Sequence, residues 1–136
     1  MSAHRKAVSA PAAPAAIGPY SHAVQAAGLL FCSGQIPLDP SSGEIAGDTP
    51  AAQARRCLAN LQSVCEAAAA TLADAVRLTV YMTDLGAFAE VNEAYGAFFA
   101  DLDADAAPPA RVAIGVVALP RGSQVEIDAI VALGGG

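Results

Sequence analysis

Arg111 opens one apolar run and Glu126 sits inside the next in PPARVAIGVVALPRGSQVEIDAIV, residues 108 to 131. A guanidinium is a planar fork that grips a carboxylate through two parallel hydrogen bonds and keeps its charge where water is excluded. That suits an organic acid. A glutamate nearby, partly buried and so with its pKa raised, can hold a water or pass a proton to a leaving group. Together the two outline a hydrolase acting on small acids. The alternative is a structural ion pair or two solvated rim charges, which contribute little to stability.

Positioning such a pair requires a packed fold, and at 136 residues the chain is long enough for one ordinary domain. Hydrophobic residues make up 54% and charged residues 15%, which excludes disorder and leaves more apolar surface than one small core needs. Self-association is therefore expected. Seven basic against thirteen acidic residues give a net charge of −6, and Arg5 and Lys6 lie near the N-terminus, so a nucleic-acid footprint is not expected. Cys32, Cys57 and Cys65 cannot all pair within one chain, and none stands in a CxxC or CxxH. A reduced, cytoplasmic setting without a metal follows. The opening MSAHRKAVSAPAAPAAIGPY imitates a signal peptide, but Pro11 and Pro14 break its apolar run. No apolar run approaches the roughly 20 residues of a membrane span, so no membrane partner is expected.

The elements follow from turn signals and periodicity. Tyr20 to Ala26 and Leu29 to Ser33 read as short strands around Ala27-Gly28. GQIPLDPSSGEIAGDTP is an irregular loop, long enough to carry function. It ends where Thr49 can cap a helix with Pro50 at the first position. Ala54, Leu58, Leu61, Cys65, Ala68 and Leu72 then keep helical spacing, with Gln53, Arg56, Asn60 and Ser63 on the opposite face. VRLTVYMT, residues 76 to 83, alternates Val76, Leu78, Val80 and Met82 with Arg77, Thr79, Tyr81 and Thr83, the period of a half-buried strand. Asp84 can cap a second helix carrying Phe88, Val91, Tyr95, Phe98 and Leu102 as one stripe. The expected architecture is α+β, a mixed sheet with two helices on one face.

Alternation also assigns faces. In the strand from Arg111, the set Val112, Ile114 and Val116 is expected to face the helices, leaving Arg111, Ala113, Gly115 and Val117 on the other side. In the last strand Val125, Ile127, Ala129 and Val131 are core-like, leaving Gln124, Glu126, Asp128 and Ile130 opposite. Arg111 and Glu126 are thus expected to point away from the helices, onto a face that a partner subunit covers.

APAAIGPYSHAV (residues 13 to 24), CSGQIPLDPSSGEI (32 to 45), DLGAFAEVNEAYGAFF (84 to 99), PPAR and VEI resemble the signatures of the RidA/YjgF/UK114 family, in order and spacing, from about Ala13 to Ala132. The resemblance implies a single domain over 13–133 between flexible tails at 1–12 and 134–136. It implies a chorismate-mutase-like subunit whose last strand lies between two earlier ones, and a homotrimer whose sheets close a β-barrel core. Pockets would lie at the subunit interfaces. The implied activity is hydrolysis of reactive 2-imino acids and their enamines, such as 2-aminoacrylate, 2-iminopropanoate and 2-iminobutanoate, to 2-keto acids and ammonia. Arg111 would bind the substrate carboxylate with the backbone N–H of Gly34, where glycine lets the main chain approach closely. Glu126 would position water and help protonate the departing nitrogen. Ser33 would hydrogen-bond the substrate or that water, Tyr20 of a neighbouring subunit would close the pocket, and Asn92 matches the family's Asn in the FxxVNxxY run, in a supporting place. Orientation and one acid/base group suffice for an electrophilic imine, so no cofactor and no metal are expected.

The local readings of these residues are plainer. Tyr20 after Gly18-Pro19 can anchor a turn, Ser33-Gly34 can end a strand, and Asn92 can bond a loop. His4 and His22 receive no role, and Cys57 and Cys65 read as small buried hydrophobes. Many members of the branch carry cysteine two residues after the arginine, where this chain has Ala113. A thiol mechanism there is excluded, and substrate preference is expected to differ. Two other functions stay open: a non-catalytic carboxylate-binding or interaction protein, and an endoribonuclease or translation inhibitor, against which one lysine and an acidic balance argue.

Overall fold

The structure is a computed structural model describing residues 4–134; the expectations for 1–3 and 135–136 lie outside the described residues. Its elements are β1 (Lys6–Val8), β2 (Ala23–Ala26), β3 (Leu29–Gln35), α1 (Pro50–Ala67), β4 (Ala75–Met82), α2 (Phe88–Leu102), β5 (Ala110–Gly115) and β6 (Val125–Ala132). The strands form one sheet in the order β1-β2-β3-β6-β4-β5. Among the described strands, β4 and β5 alone run parallel. The last strand therefore does lie between two earlier ones, and it is the most regular: Val125, Ile127, Ala129 and Val131 are buried while the residues between them are half-buried. Burial of these side chains against Leu58, Leu61 and Val64 of α1 makes the core. Each fully buried side chain of this size contributes about 1.5–3 kcal/mol.

Local chemistry sets the boundaries. Ala27 and Gly28 both have left-handed φ, 55° and 77°, the backbone of a two-residue hairpin turn whose twist suits the strands. The first strand of that hairpin begins at Ala23, not Tyr20. Thr49 Oγ1 accepts from Ala52 N–H at 3.1 Å, and Pro50 opens α1 as expected. The helix stops before Leu72: Ala69 turns left-handed and the N–H of Ala70 reaches back to Cys65 O at 2.9 Å. Leu72 is still fully buried, from the 3-10 turn Leu72–Asp74 that follows. Asp84 caps a second such turn, Leu85–Ala87, which leads into α2.

Two expectations are corrected by long-range hydrogen bonds. Helical spacing puts Gln53 and Asn60 on the outer face of α1, yet both are buried. Gln53 accepts from Gln124 N–H at 2.8 Å and donates to Gly47 O, while Asn60 donates to Leu38 O at 3.0 Å. Satisfied amides of this kind can be buried because their partners are backbone groups of the 34–50 loop and the start of β6. The segment read as a flexible tail over 1–12 contains β1, paired with β2. Ala10 and Ala13 are buried, and His22 ties them down: its Nδ1 accepts from Ala10 N–H at 3.0 Å and its Nε2 lies 2.8 Å from Pro14 O.

The third correction concerns β5. Its parallel register with β4 aligns Arg111 with Leu78, Ala113 with Val80 and Gly115 with Met82. Aligned residues share a face, and Leu78, Val80 and Met82 are buried toward the helices. Arg111, Ala113 and Gly115 hence face the helices, and Val112 and Ile114 face away, the reverse of the expectation. Small residues sit inside because the helical layer comes close: a Cβ on Gly115 would lie 3.1 Å from Leu85 Cδ1. Glu126 does point away from the helices, aligned with Tyr81. That outer face also carries Val24, Phe31, Ile130, Val112 and Ile114, and neither helix lies over it.

Candidate functional site

Glu126 sits where the sheet loses its regularity. Pairing of β3 with β6 lapses between Cys32 and Gln35, so Ser33 and Gly34 have no partner on β6. The missing side chain of Gly34 is what admits Glu126: a Cβ there would collide with Glu126 Oε2. Burial of the half-buried carboxyl raises its pKa above the ordinary glutamate value, and the negative charge of Asp128 on the same face adds to this. Asp128 itself accepts from Tyr81 O–H at 2.9 Å. Ser33 Oγ donates to Ser21 O at 2.6 Å, which commits its proton and leaves its oxygen as an acceptor. The Tyr20 hydroxyl accepts from Ile17 N–H at 3.3 Å, and among the described residues its own proton has no acceptor. Tyr20, Ser33, Gly34 and Glu126 line a cavity of about 520 Å³ with apolar walls from Pro14, Ile17, Leu38 and Pro120.

Arg111 belongs to a different place. At the start of β5 its guanidinium lies 5.4 Å from the ring centre of Phe88 and 4.9 Å from that of Tyr95, and its Nη1 donates to Asn92 Oδ1 at 2.7 Å. Phe88, Asn92 and Tyr95 are spaced by four and three on α2, so one helix face forms the whole cradle. Two aromatic faces and one amide oxygen hold the fork without neutralising it. Burial raises the Tyr95 pKa, the Arg111 charge acting in the opposite sense. Beside the cradle lies a cavity of about 550 Å³ reaching Phe99 and Pro108-Pro109.

The structure thus brings Tyr20, Ser33, Gly34 and Glu126 together, and separately Arg111 with Asn92. Within one chain the two charges are on opposite sheet faces, two strands apart, and do not meet. Asn92 holds Arg111 rather than lining the Glu126 cavity. Reading the sequence missed three residues. Periodicity puts Phe88 and Tyr95 only in an apolar stripe, although their spacing around Asn92 is the available signal. Arg121, which lines the Glu126 cavity, carries no such signal in the sequence. Among the described residues no group of three His, Cys, Asp or Glu side chains could hold a metal, and no helix is long and apolar enough to cross a membrane.

The sequence profile of the family described as Endoribonuclease L-PSP matches residues 10–133. The chain belongs to that family. It is the RidA/YjgF group whose motifs the sequence resembles, and curated relatives bear several names. Protein DfrA of Myxococcus xanthus is 52% identical over 128 residues, 93% of this chain and 94% of the relative. The 2-iminobutanoate/2-iminopropanoate deaminase of Escherichia coli K12 is 43% identical over 125 residues, 92% of this chain and 95% of the relative. Among solved structures, TdcF of E. coli with bound serine superposes with a TM-score of 0.88 at 39% identity, covering 95% of this chain and 99% of that one. The family's six-stranded sheet with two helices is thereby confirmed for this chain.

Proposed function

We propose that the protein hydrolyses 2-imino acids such as 2-iminopropanoate and 2-iminobutanoate to 2-keto acids and ammonia, in a homotrimer whose sites form between copies. The observation that carries the reading is the Glu126 carboxyl: half-buried, its pKa raised, set against a residue with no side chain and beside a serine oxygen that can only accept. Relatives named as deaminases of these imines support it, as does a relative that binds an amino acid.

Arg111 of one protomer would grip the substrate carboxylate, with the Gly34 N–H of its partner beside it. Glu126 of that partner takes a proton from water as the water oxygen bonds to the carbon of the protonated imine; it returns that proton to nitrogen, then takes the proton of the new hydroxyl as the C=O bond forms and the C–N bond breaks to release ammonia. Water is consumed and ammonia leaves, so neither oxidant nor cofactor is required. Ser33 Oγ accepts a hydrogen bond from the attacking water, and the free Tyr20 hydroxyl closes the mouth. The uncovered face with Phe31 and Ile114 would be buried between copies, consistent with a barrel core. The test adds the protein to a dehydratase releasing 2-aminoacrylate and follows keto-acid formation, with semicarbazide trapping the residual imine. Faster keto-acid formation is expected; an unchanged imine lifetime sinks the assignment, and salt-dependent RNA cleavage by the same preparation would replace it with the ribonuclease reading.

A further inference from the structure

The cavity that holds Glu126 has a cation of its own. Arg121 lines it together with Tyr20, Ser33, Gly34 and Glu126. Among the described residues no ion pair within 4.0 Å joins Arg121 to Glu126. The partner of Arg121 is Glu44, on the 34–50 loop, at 3.9 Å and with both side chains well exposed, 42% and 78%. A pair that long and that wet contributes almost nothing to stability and leaves the guanidinium available.

The backbone makes the choice of residue conspicuous. Arg121 has φ 61° and ψ 20°, left-handed and followed by Gly122 at φ 70°. Glycine and asparagine take that conformation easily; an arginine there costs on the order of 1 kcal/mol. Ser123 Oγ donates to Pro120 O at 2.9 Å and ties the turn itself, while the long, exposed Arg121–Glu44 pair is too weak to offset the cost of an arginine there.

We propose that Arg121 is a specificity-determining residue that holds the side-chain carboxylate of dicarboxylic 2-imino acids, the imines of aspartate- and glutamate-like amino acids. This deepens the deaminase reading and rests on it. Arg111 of the neighbouring copy takes the carboxylate next to the imine, and the one or two methylenes between the acid groups lie on Ile17, Leu38 and Pro120. Glu44 is the internal carboxylate that the substrate displaces. The reaction is unchanged: water adds, the C–N bond breaks, and a dicarboxylic keto acid and ammonia leave.

The experiment compares 2-iminosuccinate, made from aspartate by a flavoprotein oxidase, with 2-iminopropanoate, made likewise from alanine, in the full-length protein. Arg121→Asn keeps a residue that tolerates the left-handed turn, so the variant is expected to melt no lower than the wild type. Its kcat/KM should fall about tenfold further for iminosuccinate than for iminopropanoate, mostly through KM, as expected for a lost charge-assisted hydrogen bond. Arg121→Lys should recover part of the difference. Glu44→Gln should move the other way, lowering KM for iminosuccinate. An equal loss on both imines, or none on iminosuccinate, overturns the assignment. Turnover of iminopropanoate without iminosuccinate by the wild type overturns it alone; turnover of neither overturns the deaminase reading beneath it.

Discussion

The Arg111 cradle and the Glu126 cavity place opposite charges by opposite means. Arg111 is held by matter: two aromatic rings and an amide oxygen from a single helix face. Glu126 is held by a vacancy, the absent side chain of Gly34 beside a lapse in strand pairing. The means fit the chemistry. A guanidinium must stay charged and aimed, and aromatic faces aim it without adding a counter-charge. An acid/base carboxyl must exchange a proton near neutral pH, and burial beside a second acid shifts it that way.

Glu126→Gln should show the largest effect. Loss of acid/base catalysis lowers kcat by about 10²–10⁴-fold, while the fold gains stability at neutral pH. The sign follows from linkage: a carboxyl whose folded pKa is raised binds its proton more tightly when folded. Its favourable contribution is present below the unfolded pKa and lost as pH rises through the folded one. The melting temperatures of wild type and variant should therefore converge as pH falls through that window. A variant less stable than wild type at pH 7 contradicts the buried-carboxyl account. In the wild type the acid limb of kcat/KM should lie above the ordinary glutamate range, and Asp128→Asn should move it down, since removing that charge eases ionisation of Glu126.

Gly34→Ala comes next. The new methyl meets the mobile end of Glu126 rather than backbone, so the carboxylate moves and the fold stays. Activity should fall by about 10²-fold, the cost of a misplacement near 1 Å, with little change in melting temperature; full activity would remove the vacancy argument. The cradle predicts the smallest change. Tyr95 O–H is buried with no hydrogen-bond partner among the described residues. Tyr95→Phe keeps the ring and drops the orphan hydroxyl, so stability should rise by about 1 kcal/mol with KM unchanged. Tyr95→Leu removes a ring from beneath the guanidinium, and KM should rise about threefold while kcat holds. Equal kinetics for Phe and Leu would show that the ring does not position Arg111.

What the sequence revealed follows the range of the interactions. The Thr49-Pro50 start of α1 and the alternation of β6 are written in neighbouring residues, and both are as expected. The face of Arg111 was not legible, because β5 is apolar on both sides and periodicity gives a strand two faces without naming them. Only the parallel register with β4 decides it. Gln53 and Asn60 misled for a related reason, since their partners lie 71 and 22 residues away. Motif resemblance, not periodicity, gathers Ser33, Gly34 and Glu126, which share a cavity; Tyr20, expected there from a neighbouring subunit, lines it from the same chain.

The central claim is that the two charges act together only across a boundary between copies. Arg111→Ala and Glu126→Gln should each be nearly inactive alone. Co-assembled from an equal mixture of unfolded chains, they should regain about a quarter of wild-type deaminase activity, the fraction of interfaces at which both neighbours contribute an intact residue. Co-assembled oligomers that form normally and remain as inactive as either parent would contradict the account.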